Sequence, residues 1–257
     1  MTVYSILGKV TDMTNFAAVI PALNPQKQLL DYVQQLYNLG IQFIVVVNDG
    51  SEAKYDSIFE GLAMKSFCHV LKNERNEGKG YSLKKGFRHI LNTCPSCDGV
   101  ITIGAHGQHR LQDVQLMLKM TKVFSHSIIL GVRNMKSPDV RFSQYIGNRA
   151  TTMLFNLLYH KRLLDTQSGL RYIPTDELPW LVEIKGSGFD YDTNMLVQAI
   201  KRHYPIYEIQ IGNARLKKNT LLHYDEVMTT KEVMKQMLTE FFGEKGKRKK
   251  KHIRDSR

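Results

Sequence analysis

The strongest constraint on the fold is the repeated succession of an unbroken apolar run and an amphipathic segment. Phe43 to Val47 (FIVVV) sets five apolar residues in a row, four of them β-branched. Side chains alternate between the two faces of a strand, so a run with no polar interruption is stable only where both faces are covered. Before it, Leu29, Leu30, Val33 and Leu36 recur at helical spacing within Gln28 to Leu39; after it come the turn NDGS and a helix through Ile58, Leu62 and Ala63. The same succession supplies a strand from Phe16 to Ile20, a strand CHVLK, a helix with Leu83, Phe87, Ile90 and Leu91 on one face, and a strand GVITI. Such a chain is expected to be α/β, with a mostly parallel central sheet flanked by helices.

The first half reads as a Rossmann-like nucleotide-binding fold. Ligands of such sheets lie beyond the carboxyl ends of the strands, which directs attention to the loops PALNP (21–25), NDGS (48–51), NEGKG (76–80) and GAHGQH (104–109). The second half is less regular: a strand SIILGVR, a helix from about Tyr145 to Tyr159, the polar segment DTQSGLRYIP, the stretch GFDYDTNMLVQAIKRH and a strand PIYEIQI. No internal repeat is present.

A chain of 257 residues can bury a sizeable core, and one large domain is expected over residues 16–226, with residues 1–15 as an N-terminal extension and 227–257 as an amphipathic helix and basic tail. Within the domain, two halves are expected, residues 16–110 with the regular alternation and residues 111–226 with the less regular one. No apolar run reaches the length of a membrane span, and the N-terminus has no secretory-signal pattern, so a cytoplasmic location is expected. Three cysteines are too few for a disulfide framework and suit a reducing compartment; Cys94-Pro-Ser-Cys97 is read as a plain turn rather than a redox or metal motif. The net charge of +12 is mostly local, because residues 245–257 (KGKRKKKHIRDSR) hold eight Lys or Arg against one Asp. Nucleic-acid binding through this tail is a rival reading, yet nothing in the core interleaves aromatic and basic residues as base readout would need.

Asp49 stands where a strand meets a Gly-Ser turn; its carboxylate suits either a nucleoside contact or a structural cap. The glycines of NEGKG open a helix and let backbone N–H groups and Lys79 approach an anion, although the spacing is not that of a Walker loop.

In this order the segments resemble the family 2 glycosyltransferases of GT-A fold, in the branch that includes dolichol-phosphate mannose synthase and bacterial polyprenyl-phosphate glycosyltransferases. The matching stretches are VIPALNP (19–25), VVVNDGS (45–51), NEGKGYSLKKGF (76–87), DGVITIGAHGQH (98–109), LGVR (130–133), GNR (147–149), DTQSGLR (165–171) and FDYDTNML (189–196). The resemblance implies transfer of a hexose, with inversion, from a UDP- or GDP-linked sugar to a polyprenyl phosphate in cell-surface glycan synthesis. It places Pro21, Ala22, Asn24, Asp49 and Ser51 around the nucleoside, and Lys79, Gly104, Ala105 and His106 around the donor diphosphate.

Members of this family usually read DADGQH where this chain has Gly104-Ala105-His106-Gly107-Gln108-His109, so both aspartates that hold a divalent cation are replaced. Three consequences compete. His106 and Gln108 ligate a softer ion such as Mn²⁺ in place of Mg²⁺; or a protonated His106 with Lys79 and arginines stabilises the diphosphate without metal; or the protein is an impaired enzyme that binds sugar nucleotides or serves as a partner subunit. His109 is read as shaping the turn.

On the acceptor side, a lipid phosphate needs cationic clamps more than a strong base. Arg133, Arg141, Arg149 and Arg171 lie in the segments of that half, Asp165 and Gln167 are expected to order its floor, and Asp192 is a candidate base if the acceptor is a hydroxyl. Val227, Val233, Met234, Met237, Leu238, Phe241 and Phe242 share one side of a terminal helix ahead of the basic run. That combination suits either an anchor to an anionic membrane, with or without a small membrane-protein partner, or a helix packed on the domain.

Overall fold

The computed structural model describes residues 15–134, 142–212, 230–239 and 241. Strands β1 (Phe16–Ala22), β2 (Ile41–Asn48), β3 (Cys68–Lys72) and β4 (Gly99–Thr102) alternate with helices α1 (Leu29–Asn38), α2 (Asp56–Ala63) and α3 (Lys79–Thr93). After α4 (Leu111–Thr121) come β5 (Ile128–Arg133), α5 (Phe142–Tyr159), β6 (Arg171–Pro174), the short α6 (Leu178–Leu181), α7 (Asp190–Lys201) and β7 (Ile206–Ile211). The seven strands form one sheet in the order β3-β2-β1-β4-β6-β5-β7. Only β6 runs against its neighbours, β4 and β5.

The unbroken apolar runs are explained by what covers them. Along β2, Ile44 and Val46 join the cluster under α1, α2 and α4, whereas Val45 and Val47 join the cluster under α3, α6 and α7. The β1 side chains divide in the same alternating way, and all of them except Phe16 and the half-buried Pro21 are fully buried. Strand order reverses at β1, whose neighbours β2 and β4 lead to opposite edges of the sheet. A crevice opens at the carboxyl ends on either side of such a point.

Residues 230–239 form a helix whose Val233 and Met237 are buried with Ile128 and Leu130 of β5, Phe155 and Leu196. Its apolar face is therefore packed on the domain, which corrects the membrane-anchor alternative for this helix; Val227, Phe242 and the basic tail lie outside the described residues. Cys94 and Cys97 are joined by a disulfide, not separated in a plain turn. The bond closes the turn after α3, where Asn15 also donates its backbone N–H to Asp98, tying the start of β1 to the β4 approach. Asn15 thus belongs to the packed domain, one residue earlier than the expected boundary.

The neighbouring strands β4 and β6 crowd each other at Gly99, where an added Cβ would lie 2.2 Å from the ring of Tyr172. Tyr172 is 1% exposed and sits edge-on to Phe16, so it has nowhere to retreat. Gly99→Ala should cost about 1–3 kcal/mol of stability by overpacking, read as an earlier midpoint in urea with an unchanged slope. An unchanged midpoint would mean that the ring yields.

Candidate functional site

All four loops singled out from the sequence leave the sheet at its carboxyl edge, and hydrogen bonds lock them to one another. After β1 the chain turns at Asn24, a non-glycine residue with φ of 48°. The Asn24 N–H donates to Ser51 Oγ at 2.9 Å, while its side-chain oxygen accepts the Glu52 N–H at 3.0 Å. Asn48 Oδ1 accepts the Ser51 N–H at 2.8 Å, and the Ala22 carbonyl accepts the Asp49 N–H at 2.9 Å. Pro21, Ala22, Asn24, Asp49 and Ser51 thereby lie on two segments bonded to each other at the ends of β1 and β2.

Asp49 is 1% exposed, and its oxygens accept the Asn73 amide at 2.8 Å and the backbone N–H groups of Glu77 and Gly78 at 3.0 Å each. The carboxylate thus organises the NEGKG loop, which is the cap alternative of the sequence reading. Asn73, missed from the sequence, also donates to Ser82 and accepts from Lys85. Nothing local marks it, because its partners lie on the loop after β2 and on α3. Gly50 is forced: its φ is 73°, and a Cβ there would come within 2.3 Å of the Arg75 backbone.

Lys79 begins α3, but its ammonium is ion-paired with Asp192 of α7. It also lies over the Phe189 ring, 5.5 Å from the centroid. Burial pushes the Lys79 pKa down, the Asp192 carboxylate pulls it back, and Arg171 and Arg133 lower it again. The expected donor clamp and the expected base are thus each other's counter-ion.

Arg171 corrects the sequence reading more strongly. It is fully buried, and its guanidinium donates to the backbone carbonyls of Ser168 at 2.9 Å, Asp192 at 2.6 Å and Thr166 at 3.0 Å. With its donors spent on three carbonyls and no surface toward solvent, it holds α7 to the DTQSGLR segment and does not clamp an acceptor. Arg149 is exposed, and Arg141 lies outside the described residues.

Arg133, at the end of β5, grips Asp165 in a two-pronged pair, Nε to Oδ2 at 2.7 Å and Nη2 to Oδ1 at 3.0 Å. The buried Asn148 amide donates to the same carboxylate at 2.6 Å, as does the Gln167 N–H at 3.1 Å. Burial alone would raise the Asp165 pKa, yet Arg133 and these donors outweigh it and hold the carboxyl below its usual range. Asp165 and Gln167 are therefore joined as expected. Asn148 was overlooked in favour of its neighbour Arg149 because the sequence does not say which face of α5 turns inward.

Next to this pair lies His109, 4% exposed, with neither ring nitrogen hydrogen-bonded. Burial first, then the charges of Arg133 and Lys79, push its pKa down to about 3, so the imidazole is neutral. Beyond shaping the turn, its backbone carbonyl accepts the Tyr32 hydroxyl at 2.8 Å. Lys79, Arg133, Arg171, Asp165 and Asp192 together sum to one positive charge around a neutral His109, an arrangement that suits an anion.

In the GAHGQH loop, the Gln108 amide folds back over Gly104, where an added Cβ would sit 2.1 Å from it, and its Oε1 accepts the His106 N–H at 2.9 Å. The carboxamide oxygen expected to ligate a metal is therefore already engaged. Ala105 is buried and His106 half-buried. Among the described residues no group of three or more His, Cys, Asp and Glu is placed to hold a metal ion. A hard divalent ion needs several oxygen donors, and this loop offers one imidazole and one occupied amide; the residues present do not fit Mg²⁺ or Mn²⁺.

The sequence model described as "Glycosyl transferase family 2" matches residues 17–176. A relative from Methanocaldococcus jannaschii, itself uncharacterised, is 29% identical over 240 residues, covering 88% of this chain and 98% of its own. The UDP-N-acetylglucosamine–dolichyl-phosphate N-acetylglucosaminyltransferase of Methanococcus voltae is 25% identical over 211 residues, or 75% of this chain and 83% of that enzyme. Among solved structures, mannosyl-3-phosphoglycerate synthase from Rubrobacter xylanophilus superposes with a TM-score of 0.66 at 15% identity, covering 90% of this chain and 75% of that one. Glucosyl-3-phosphoglycerate synthase from Mycobacterium tuberculosis, crystallised with Mn²⁺, UDP and glucosyl-3-phosphoglycerate, gives a TM-score of 0.63 at 16% identity, with coverage of 90% and 80%. These structures share the GT-A fold with this chain, including the mostly parallel seven-stranded sheet described above. A match that takes in more than half of the residues, and every strand from β1 to β6, makes the chain a member of glycosyl transferase family 2.

Proposed function

We propose that the protein moves a hexose from a nucleotide diphosphate sugar, UDP-linked, to a polyprenyl phosphate on the cytoplasmic side of a membrane, in the synthesis of cell-surface glycans. The observation that carries this reading is the cluster of Lys79, Arg133, Arg171, Asp165, Asp192 and His109, which joins the donor-side loops to the DTQSGLR segment with one net positive charge. The Methanococcus voltae relative, named for a dolichyl-phosphate acceptor, supports the choice of acceptor.

The chemistry asks little of a base. An oxygen of the lipid phosphate, already ionised, attacks the anomeric carbon as the bond from that carbon to the diphosphate breaks, and the nucleoside diphosphate departs. In-line attack inverts the anomeric configuration. In this reading Pro21, Ala22, Asn24 and Ser51 form the nucleoside wall with Asp49 buried behind it, Lys79 and His106 with Gly104 and Ala105 face the diphosphate, and Arg133 presents charge to the acceptor. Asp192 holds Lys79 in place and takes no proton. Charge on the leaving group is met by cationic side chains in a site of low dielectric, where each counts for more than in water.

The test is a transfer screen with UDP- and GDP-sugars and a polyprenyl phosphate, with Mg²⁺, Mn²⁺ or EDTA. A lipid-linked sugar formed equally well in EDTA is the expected result. His106→Asp should weaken donor binding without metal by about 10- to 100-fold, since it sets a like charge against the diphosphate, and Mn²⁺ should restore it. Loss of wild-type transfer in EDTA, recovered by Mn²⁺, would overturn the metal-free account. The second reading, a sugar-nucleotide binding or partner subunit, is favoured by the missing carboxylates of the GAHGQH loop. Donor binding with no product under any ion would establish it.

A further inference from the structure

Helix α5 is apolar on more than one side, because Leu154, Phe155, Leu158 and Tyr159 pack on the core while a second apolar stripe faces outward. Its inward face carries the polar Asn148, Thr151 and Thr152 along with Phe155, all buried, and Asn148 and Thr152 bond Asp165 and Thr166 of the site. Its outward face carries Ile146, Met153 and Leu157, exposed to 49%, 72% and 69%, and Leu164 just beyond the helix is 70% exposed. Residues 146, 153 and 157 fall on one stripe of a helix, running about 17 Å from end to end at the usual rise per residue. A soluble helix normally keeps its outward face polar.

The charge on α5 itself and on the turn that follows it has one sign, while the neighbouring terminal helix carries the exposed Glu232 between Lys231 and Lys235. From Phe142 to Leu164 the sequence contains no Asp or Glu, whereas Arg149, His160, Lys161 and Arg162 are exposed. The nearby Glu208 turns its carboxylate to the Leu164 N–H. The terminal helix runs beside α5 in the same direction, with Thr230 against Gly147 and Phe241 against Tyr159. Four residues after Phe241 the sequence begins its run of eight Lys or Arg.

We propose that the outward face of α5, with Leu164 and its flanking basic residues, is a docking surface for an anionic bilayer. Apolar side chains enter the boundary between headgroups and acyl chains while Arg149, Lys161 and Arg162 meet anionic headgroups. The surface deepens the lipid-acceptor reading and rests on it for its purpose: the opposite face of the same helix holds Asp165, so docking would set the acceptor half of the site against the membrane. A protein partner is less well matched, because exposed Met and Leu side chains flanked by Arg149, Lys161 and Arg162 ask only for a soft anionic surface.

The experiment is co-sedimentation of the full chain with vesicles of phosphatidylcholine alone or mixed with phosphatidylglycerol, at low salt and at about 0.5 M salt, where tail attraction is screened to a few ångströms. Wild type should bind the anionic vesicles and keep a residual affinity at high salt. Met153→Ser with Leu157→Ser should lower that high-salt partition by about tenfold or more while leaving the melting temperature and donor binding unchanged. Lys161→Glu with Arg162→Glu should weaken binding at low salt only. Equal partition of wild type and the serine variant, or a shift from dimer to monomer in the serine variant with vesicle binding intact, would overturn the proposal. Transfer to a polyprenyl phosphate in detergent, where no bilayer exists, reports on the lipid-acceptor reading separately: its failure leaves the docking surface standing, and loss of vesicle binding leaves that reading standing.

Discussion

Between about pH 6 and pH 4 the unfolding free energy should fall by about 1.4 kcal/mol per pH unit on account of His109, and His109→Gln should lack that increment of slope. The sign follows from where the proton goes. In the folded protein the imidazole is buried beside Arg133 and Lys79, with Asp113 and Asp165 only partly offsetting them, and its pKa is pushed down to about 3. In the unfolded chain it titrates near 6.5. Through that window the unfolded state binds a proton that the folded state refuses, so acid favours unfolding. The contribution is absent above the unfolded value and stops growing below the folded one. Urea titrations of both proteins at several pH values measure it as a difference of slopes, which removes the carboxylates common to both. Parallel pH profiles would mean that His109 is protonated in the folded state, and with it that the cluster carries a different charge.

The two unbonded nitrogens of His109 also bear on the site. A buried imidazole without partners costs stability that a Phe or Leu at the same place would not. Its persistence beside Lys79 and Arg133 fits a site whose charges are arranged for a ligand.

What could be read from the sequence, and what could not, divides by range. Alternating apolar runs and helical stripes specify a covered parallel sheet, because strand and helix periods are local properties; the positions of the four loops follow once the strands are parallel. Pairing across the fold is not local. Lys79 and Asp192 are 113 residues apart, and each read alone looks like a free functional group. Arg171 in DTQSGLR looks like a surface clamp until the three carbonyls that surround it are assembled from Thr166, Ser168 and Asp192. The terminal helix and α5 show the same limit from opposite sides. The stripe of Val233 and Met237 has the same periodicity whether it meets lipid or β5, and it meets β5. In α5 the apolar residues go around the whole helix, so the sequence gives no inward direction, and the buried polar face that carries Asn148 escapes notice. The Cys94–Cys97 bond escapes for a chemical reason: spacing permits the turn, but oxidation state is not written in spacing.

Asp165→Ala should cost about 3–5 kcal/mol, lowering the melting temperature on the order of 10 °C, because it removes one carboxylate from four donors at once. Arg133 would lose both prongs, the buried Asn148 amide would lose its acceptor, and the Gln167 N–H would lose its cap. Stability from this carboxylate has its own pH sign: its folded pKa is depressed, so the contribution is present above the unfolded value near 3.8 and is lost as pH falls through the lower folded one. It therefore acts at more acidic pH than His109, and the two can be separated. The pair itself need not be net favourable, since burying both charges has a desolvation cost comparable to their attraction. For that reason Arg133→Met combined with Asp165→Leu should recover a large part of the stability lost in Asp165→Ala while abolishing transfer to the lipid phosphate. A loss below about 1 kcal/mol in the single variant would place the pair with ordinary surface ion pairs and take away its role in ordering the acceptor side of the site.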